Sequence, residues 1–462
     1  MNRQDDQAQD RSLKEAKHQL ALEIVRQLRS RGYQALFAGG CVRDLLLGQT
    51  PSDYDVATDA RPEQVMGLFR RCIPVGASFG VVRVLGQTSQ GDVEVATFRS
   101  DGAYVDGRHP EQVYFGTAER DAHRRDFTIN GMFLDPISDE VIDYVGGQAD
   151  LEAGIVRAIG DPAARFREDK LRLLRAVRFT ARLDFQLDRP TRRALEHMAP
   201  ELRVVAVERV AQELRKILVD RRRAAGLELI REVGLLGEIA PPCARLADEH
   251  DPETRDDLWS HTLRVLDSLP ADPSFPLALA ALLHETGCAS ELDRSRGLQL
   301  VAREIADGQC RRLRLSNQER ERTSWLVEHH QALRNAPELK PSRLKRLLSH
   351  PGIEELLELH RAHALAVGAG SSDVAFCEKY MKNQPQGPLD PPRLITGHDL
   401  ARLGLKPGPR FTSLLEAVRD AQLDGRVGDT TEALALVKES LEKSENSRLA
   451  QEKRESPESP AE

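Results

Sequence analysis

One stretch of the chain, Gln34 to Asp55, limits what its N-terminal part can become. Gln34-Ala35-Leu36-Phe37-Ala38 is a short, largely apolar run of strand length, and Gly39-Gly40 follows it at once. Two glycines let the backbone turn tightly and let a ligand approach it closely. Cys41 to Leu47 reads as a short helix with Arg43 in its first turn. A helix starting there offers unsatisfied N–H groups and a favourable dipole to a phosphate. Arg43 can grip phosphate oxygens with its planar fork, and Asp44 reads equally well as a capping acid. Ser52-Asp53-Tyr54-Asp55-Val56-Ala57 then reads as a short strand. Side chains two apart on a strand share a face, about 7 Å apart at the backbone. Asp53 and Asp55 can therefore lean on one cation or share two. Alone, such a pair is a solvated turn; behind the glycines it reads as a metal-binding pair following a phosphate cradle. Mg²⁺ suits a few carboxylates plus substrate phosphates, and two ions about 4 Å apart serve both the attacking and the leaving oxygen of phosphoryl transfer.

A second charged feature lies further on. Glu168 to Leu183 has no Gly or Pro and carries apolar residues at Leu171, Leu174, Val177 and Ala181, so it reads as one helix. Asp169, Arg172, Arg175 and Arg178 recur every three residues and form a drifting stripe on its surface. A solvated face is the competing reading, but unbroken arginines with little compensating acid suit an anionic ligand better. Asp121 to Arg125 brings two arginines beside the carboxylate sheet, and the plain reading of Arg124 and Asp126 is a local ion pair. Asp92 to Phe98 alternates like a strand. Its Glu94 reads both as a third metal carboxylate and as an exposed strand acid, and both readings stay open.

Together these segments resemble the bacterial-type (class II) tRNA nucleotidyltransferase and poly(A) polymerase family of the polymerase-β superfamily. The run Gly39-Gly40-Cys41-Val42-Arg43-Asp44-Leu45-Leu46-Leu47-Gly48 with Asp53 and Asp55 matches its first motif. Arg124-Arg125-Asp126-Phe127-Thr128-Ile129-Asn130 matches the second, and Asp143 to Leu151 is similar to the third, a hinge-like segment. Glu168-Asp169 through Arg172, Arg175, Arg178 and Phe179 matches the fourth, and Glu208-Arg209-Val210-Ala211-Gln212-Glu213-Leu214 the fifth. The match is close up to Leu214 and looser beyond it.

The resemblance implies an α+β fold: a polymerase-β-like nucleotidyltransferase head with a mixed sheet, followed by an all-α neck, body and tail. It implies Asp53 and Asp55 as catalytic Mg²⁺ ligands, and Gly39, Gly40, Arg43, Arg125, Asp126, Asn130, Asp169, Arg172, Arg175 and Arg178 as nucleotide-binding residues. Arg125 is expected on the nucleotide, with Asp126 and Asn130 sensing its sugar. Asp169 and Arg172 are expected to read the base edge in place of a template strand. A carboxylate and a fork of donors fit cytosine and adenine, and fit uracil and guanine poorly. Arg175 and Arg178 are expected to meet phosphate or RNA.

Composition agrees with this. Room exists for about three domains in 462 residues. No apolar run approaches the roughly 20 residues of a membrane span, the N-terminus lacks a signal-peptide pattern, and six scattered cysteines without a C-x-x-C suggest reduced thiols. A cytoplasmic protein with neither membrane nor DNA as partner is expected. The net charge of −7 sits oddly with an RNA substrate, yet Asp161 to Glu232 holds eighteen Lys and Arg against twelve Asp and Glu. RNA binding needs such a local surplus, not a basic chain.

The organisation reads as follows: 1–11 disordered; 12–150 the head, its first helix opened by a Ser12–Glu15 capping box; 151–232 a helical neck for nucleotide and RNA; 233–390 a helical body; 391–440 a tRNA-binding tail; 441–462 disordered. Within the body, His261 and His284-Glu285-Thr286-Gly287, with His329-His330 after them, are similar to the HD phosphohydrolase domain of some relatives. The required Asp is here Glu285, and Gly297-Leu298-Gln299 lacks an expected histidine. The expectation is a degenerate domain whose histidines are structural or face a partner.

The activity implied is template-independent addition of CCA, or of its terminal A, to tRNA from CTP and ATP. Poly(A) synthesis on another RNA 3′ end is the alternative, and a non-catalytic RNA-binding protein the more distant one. Asp101 to Pro110 resembles the loop that accompanies A addition, and Ile395 to Leu400 with Gly404 to Pro409 resembles the tail of the tRNA enzymes.

Overall fold

The structure is a computed structural model that describes residues 3–76, 80–87, 91–102, 112–250, 257–288, 297–384, 388–406 and 408–455. Most of the loop expected at Asp101 to Pro110 lies outside these residues. The chain forms two compact units, Met1–Ala247 with Gly308–Ser316, and Asp248–Asp307 with Asn317–Glu462.

The first unit is built on strands β1 (Ala35–Ala38), β2 (Asp55–Thr58), β3 (Cys72–Gly76), β4 (Val81–Leu85), β5 (Asp92–Thr97), β6 (Arg99–Asp101), β7 (Val113–Phe115), β8 (Phe133–Asp135) and β9 (Glu140–Ile142). A seven-stranded sheet runs in the order β3-β4-β5-β2-β1-β8-β9, while β6 and β7 form a ribbon of their own. Pairing of β2 with β5 is parallel and sets Asp55 opposite Glu94; the other neighbours are antiparallel, so the sheet is mixed, as expected. All four residues of β1 are buried, which is why that segment reads as an unbroken apolar run. In β5 buried and half-buried residues alternate.

Helices α1 (Arg3–Ser30), α2 (Gly40–Leu46), α3 (Pro62–Leu68) and α4 (Ala118–His123) belong to the sheet region, and α5 (Gly147–Glu152) follows it. Then come α6 (Pro162–Glu168), α7 (Arg172–Leu183), α8 (Arg189–Met198), α9 (Val207–Leu218) and α10 (Arg223–Glu232). On α1, Leu20, Ala21, Ile24, Val25 and Leu28 are buried at helical spacing. Burying each of the leucines and branched residues is worth roughly 2 kcal/mol before entropy.

Several expectations are corrected. Helix α1 starts at Arg3, so the capping box at Ser12 falls inside it and is not its origin. Asp53 lies in a bend before β2 rather than within a strand. The segment Glu168 to Leu183 is not one helix: α6 ends at Glu168, α7 begins at Arg172, and Asp169 between them takes extended dihedrals (φ −146°, ψ 104°) as the C-cap of α6. Its carboxylate accepts the Leu171 N–H at 3.1 Å, a local turn that competes with the helix.

The second unit is helical, with Leu258–Asp267, Phe275–Leu283, Asn317–His329, Pro341–Leu348, Ile353–Ala366 and Ser372–Asn383 in its body. Beyond the prolines, Ile395, Leu400, Leu414, Val418, Ala421, Val427, Ala433 and Val437 form a separate core within the stretch expected to be the tail. The last helix runs Thr430–Glu455. Among the described residues, no helix is long and apolar enough to cross a membrane.

Candidate active site

Strand β1 delivers the chain to Gly39, whose φ of 74° lies in the left-handed region. A Cβ there would sit 2.7 Å from Arg125 Nη1, so the glycine clears the passage of that guanidinium. Around this turn lies a cleft of about 640 Å³, lined by Gly39, Gly40, Arg43, Asp53, Asp55, Arg124, Arg125, Asp126, Asn130, Asp169, Leu171, Arg172, Arg175, Arg178, Phe179, Arg182, Arg209 and Lys216. Every candidate nucleotide-binding residue and two of the three candidate metal carboxylates, Asp53 and Asp55, are thus gathered in one cavity. Glu94 is not among the lining residues; it faces Asp55 across the β2–β5 pair and accepts a 3.0 Å hydrogen bond from Arg83.

The carboxylates at the floor differ in state. Asp55 is the exposed end of β2, open to the cleft; desolvation by the surrounding cleft atoms, opposed by Arg125 and assisted by Glu94 and Asp53, pushes its carboxyl up to about 6. Asp53 is held below the usual carboxylate range, chiefly by the hydrogen bond from Lys17 Nζ at 2.6 Å. Tyr54 points the other way, into the core, stacked on His18 and packed on Phe37. Asp53 and Asp55 line the same cleft, with Glu94 opposite Asp55 in the sheet; carboxylates are hard oxygen donors of the kind a divalent cation takes.

Nine cationic side chains line the cleft, and the expected shortage of acid does not hold. Asp121 is buried and takes both Arg124 (2.7 Å) and Arg125 (2.9 Å). Asp126 therefore does not pair with Arg124. It accepts from Arg175 Nε and Nη2 at 2.8 and 2.5 Å, and from Asn130 Nδ2 at 3.1 Å. Burial alone would raise the Asp126 carboxyl; Arg175 outweighs that and holds it well below the usual range. Arg172 pairs with Glu168 at 2.7 Å and Arg178 with Glu213 at 2.6 Å. Arg43 is buried, bonded to Asp44 at 2.5 Å and to Asn130 Oδ1 at 2.7 Å, with Phe179 beneath it. Asp44 is thus a partner of Arg43 and not a helix cap. Arg182 makes no ion pair among the described residues.

Asp169 is gripped by both Nη atoms of Arg209, at 3.2 and 2.8 Å. Its position in the break between α6 and α7 means that Asp169 and Arg172 are not neighbours on one helix, though both line the cleft. Charge-assisted bidentate pairs of this kind fix side-chain direction strongly.

The profile described as "Poly A polymerase head domain" matches residues 35–157, and one described as "Probable RNA and SrmB- binding site of polymerase A" matches 184–246. A poly(A) polymerase I of Salmonella typhi is 32% identical over 366 residues, which are 73% of this chain and 77% of that protein. The chain belongs to the tRNA nucleotidyltransferase and poly(A) polymerase family. A CCA-adding enzyme of Geobacillus thermodenitrificans is 42% identical over 264 residues, 54% of this chain and 65% of the relative. A poly(A) polymerase I of Haemophilus influenzae is 36% identical over 60% of its own length, so the chain spans somewhat under two thirds of each of these two family members. The crystal structure of a Bacillus stearothermophilus CCA-adding enzyme in complex with CTP superposes with a TM-score of 0.73 at 28% identity, covering 93% of this chain and 98% of that one.

Sequence reading of this family member missed Lys17, Asp121, Arg209 and Glu213. Arg209 and Glu213 stand inside the fifth motif, and their four-residue spacing was the available signal. Nothing local to Lys17, 36 residues before Asp53, announces that contact.

Proposed function

We propose that the chain adds nucleotides to an RNA 3′ end without a template, building CCA, or its terminal A, on tRNA from CTP and ATP with release of pyrophosphate. The observation that carries this reading is the gathering of Asp53, Asp55, the Gly39–Gly40 turn, Asp169 and Arg172 around one cleft. The 28% identical relative with nearly full mutual coverage, crystallised with CTP, supports it.

Asp53 and Asp55 hold the divalent cation, Mg²⁺, and Glu94 stands behind Asp55. When bound, Mg²⁺ neutralises the floor and polarises the oxygens of the transferred phosphoryl group. The chain's own groups do the positioning. The Gly39–Gly40 turn and Arg125 receive the triphosphate. Asp126 and Asn130, fixed by Arg175, meet the sugar. Asp169 accepts from the exocyclic amine of cytosine or adenine, and Arg172 donates to the adjacent ring acceptor. Uracil and guanine set a carbonyl against Asp169, which leaves a charge facing an acceptor. For this reading to hold, the base must displace Arg209 from Asp169 and Glu168 from Arg172. The free thiols support a cytoplasmic setting.

Incubation with tRNA lacking one, two or three terminal nucleotides, with ATP and CTP separately and together, followed by product sequencing, tests this. Addition that stops at CCA is expected. The match to a poly(A) polymerase I over 73% of the chain favours a second reading. Long A tracts on unstructured RNA without CTP would select it.

A further inference from the structure

The body of the second unit holds a cluster that the nucleotidyl-transfer reading does not use. His261 comes from the helix Leu258–Asp267, His284 and Glu285 follow the helix Phe275–Leu283, and His363 lies on the helix Ile353–Ala366. One donor atom from each of the four lies within 4.8 Å of the other three. His284 Nε2 is 3.3 Å from His261 Nε2 and 3.4 Å from Glu285 Oε1, and His261 Nε2 is 3.8 Å from that same oxygen. Ligands of a tetrahedral Zn²⁺ with bonds of 2.0–2.1 Å stand about 3.3 Å apart. The cluster is therefore close to that spacing already.

The outer atoms of His284 and Glu285 are held so that their inner ones point toward the other histidines. His284 Nδ1 faces the Ala281 carbonyl at 2.8 Å, so it carries the ring proton and the Nε2 lone pair points inward. The Cys288 thiol donates to Glu285 Oε2 at 3.3 Å, which turns Oε1 toward the histidines. A bare imidazole nitrogen and a carboxylate oxygen at this distance repel unless a proton or a cation lies between them. Three of the four are withdrawn from water: His261, His284 and Glu285 are 0%, 2% and 7% exposed, beside the buried apolar helix Phe275–Leu283, and His363 is half-buried. A carboxylate in such surroundings needs a counter-charge.

We propose that His261, His284, Glu285 and His363 form a closed site for one divalent first-row transition ion, with Zn²⁺ the best fit. Three imidazoles and one carboxylate suit Zn²⁺, whereas Mg²⁺ takes an oxygen shell and keeps water. Four protein ligands leave no open position for a hydrolytic water, which makes this a structural centre tying three helices together. The sequence expectation of an incomplete set overlooked His363, and burial of His261 and His284 removes the expectation that they face a partner.

The test uses the full chain with Asp53→Ala, which disables the head carboxylates as a competing site. The protein is stripped with chelator, incubated with Zn²⁺ alone, gel-filtered and assayed for metal. About one equivalent per chain is expected, falling at least tenfold in the folded His284→Ala/His363→Ala variant. In parallel, the stripped protein loaded with Co²⁺ is expected to show the intense visible bands of tetrahedral coordination. Should the double variant fail to fold, the Co²⁺ spectrum decides alone. Retention of less than a tenth of an equivalent, undiminished retention in the folded variant, or a weak octahedral Co²⁺ spectrum overturns the proposal and leaves a hydrogen-bonded histidine cluster.

Discussion

The cleft of the first unit and the histidine cluster of the second both concentrate ionisable groups, but they balance charge in opposite ways. In the cleft, Asp121, Asp126, Glu168, Asp169 and Glu213 already neutralise arginines, and the cavity stays open to solvent. A ligand that engages these arginines must exchange places with an internal partner. In the cluster the acceptors converge on one buried point. The first arrangement suits a ligand that arrives and leaves at every turnover; the second suits one that stays.

The contrast is tested most severely at the cleft floor. Asp53→Ala or Asp55→Ala should lower nucleotide incorporation at least a thousandfold, about 4 kcal/mol of transition-state stabilisation, with an unchanged far-UV spectrum. Turnover near normal in either folded variant would remove these residues from the chemistry. Next in size is the Arg178–Glu213 pair, 9% and 4% exposed at the side chain. Glu213→Ala strands a buried guanidinium and should cost roughly 3 kcal/mol in urea unfolding. A loss under 1 kcal/mol would mean that the pair is not insulated from water.

Base choice should respond less. Asp169→Ala is expected to raise UTP and GTP misincorporation about tenfold relative to CTP and ATP, and to slow all additions, since a good edge contact discriminates by about 1–3 kcal/mol. Arg172→Ala should weaken both correct nucleotides. Wild-type selectivity in Asp169→Ala, measured by competition and sequencing, would move base reading elsewhere.

The pH response follows from Asp55. Its proton competes with the cation below about 6, because the raised pKa keeps the acid neutral at a pH where an ordinary aspartate is ionised. The Mg²⁺ concentration for half activity should therefore rise by up to about tenfold per unit as pH falls from 6 to 5. Asp53, shifted downward, contributes nothing in that window. A requirement independent of pH would contradict the raised pKa of Asp55. The smallest effect is expected at the cluster, where a closed shell predicts no hydrolysis of 2′,3′-cyclic nucleotides or phosphomonoesters with Mg²⁺, Mn²⁺ or Ni²⁺. Metal-dependent hydrolysis lost in His284→Ala would erase the contrast.

The contrast also explains what was legible in the sequence. The cleft residues come in short consecutive motifs, because a strand end, a tight turn and a helix start bring near neighbours together. Their partners were less visible. Asp126 and Arg175 are 49 residues apart, and the plain reading of Arg124 with Asp126 followed sequence adjacency where the fold chose Asp121. The break at Asp169 was hidden because no Gly or Pro marks it; a side-chain turn ends the helix instead. His363 lies 78 positions beyond Glu285, and no spacing rule connects two helices that meet only in the folded body.

That unmarked break has a mechanical consequence. The backbone of a residue seated mid-helix can shift only by carrying its helix with it, whereas Asp169 has non-helical dihedrals of its own between α6 and α7. On the proposed assignment, the same carboxylate must greet a narrow pyrimidine and a broad purine in turn. A short joint of this kind gives the reading edge reach at the cost of a few degrees of rotation, while the cores on either side remain still.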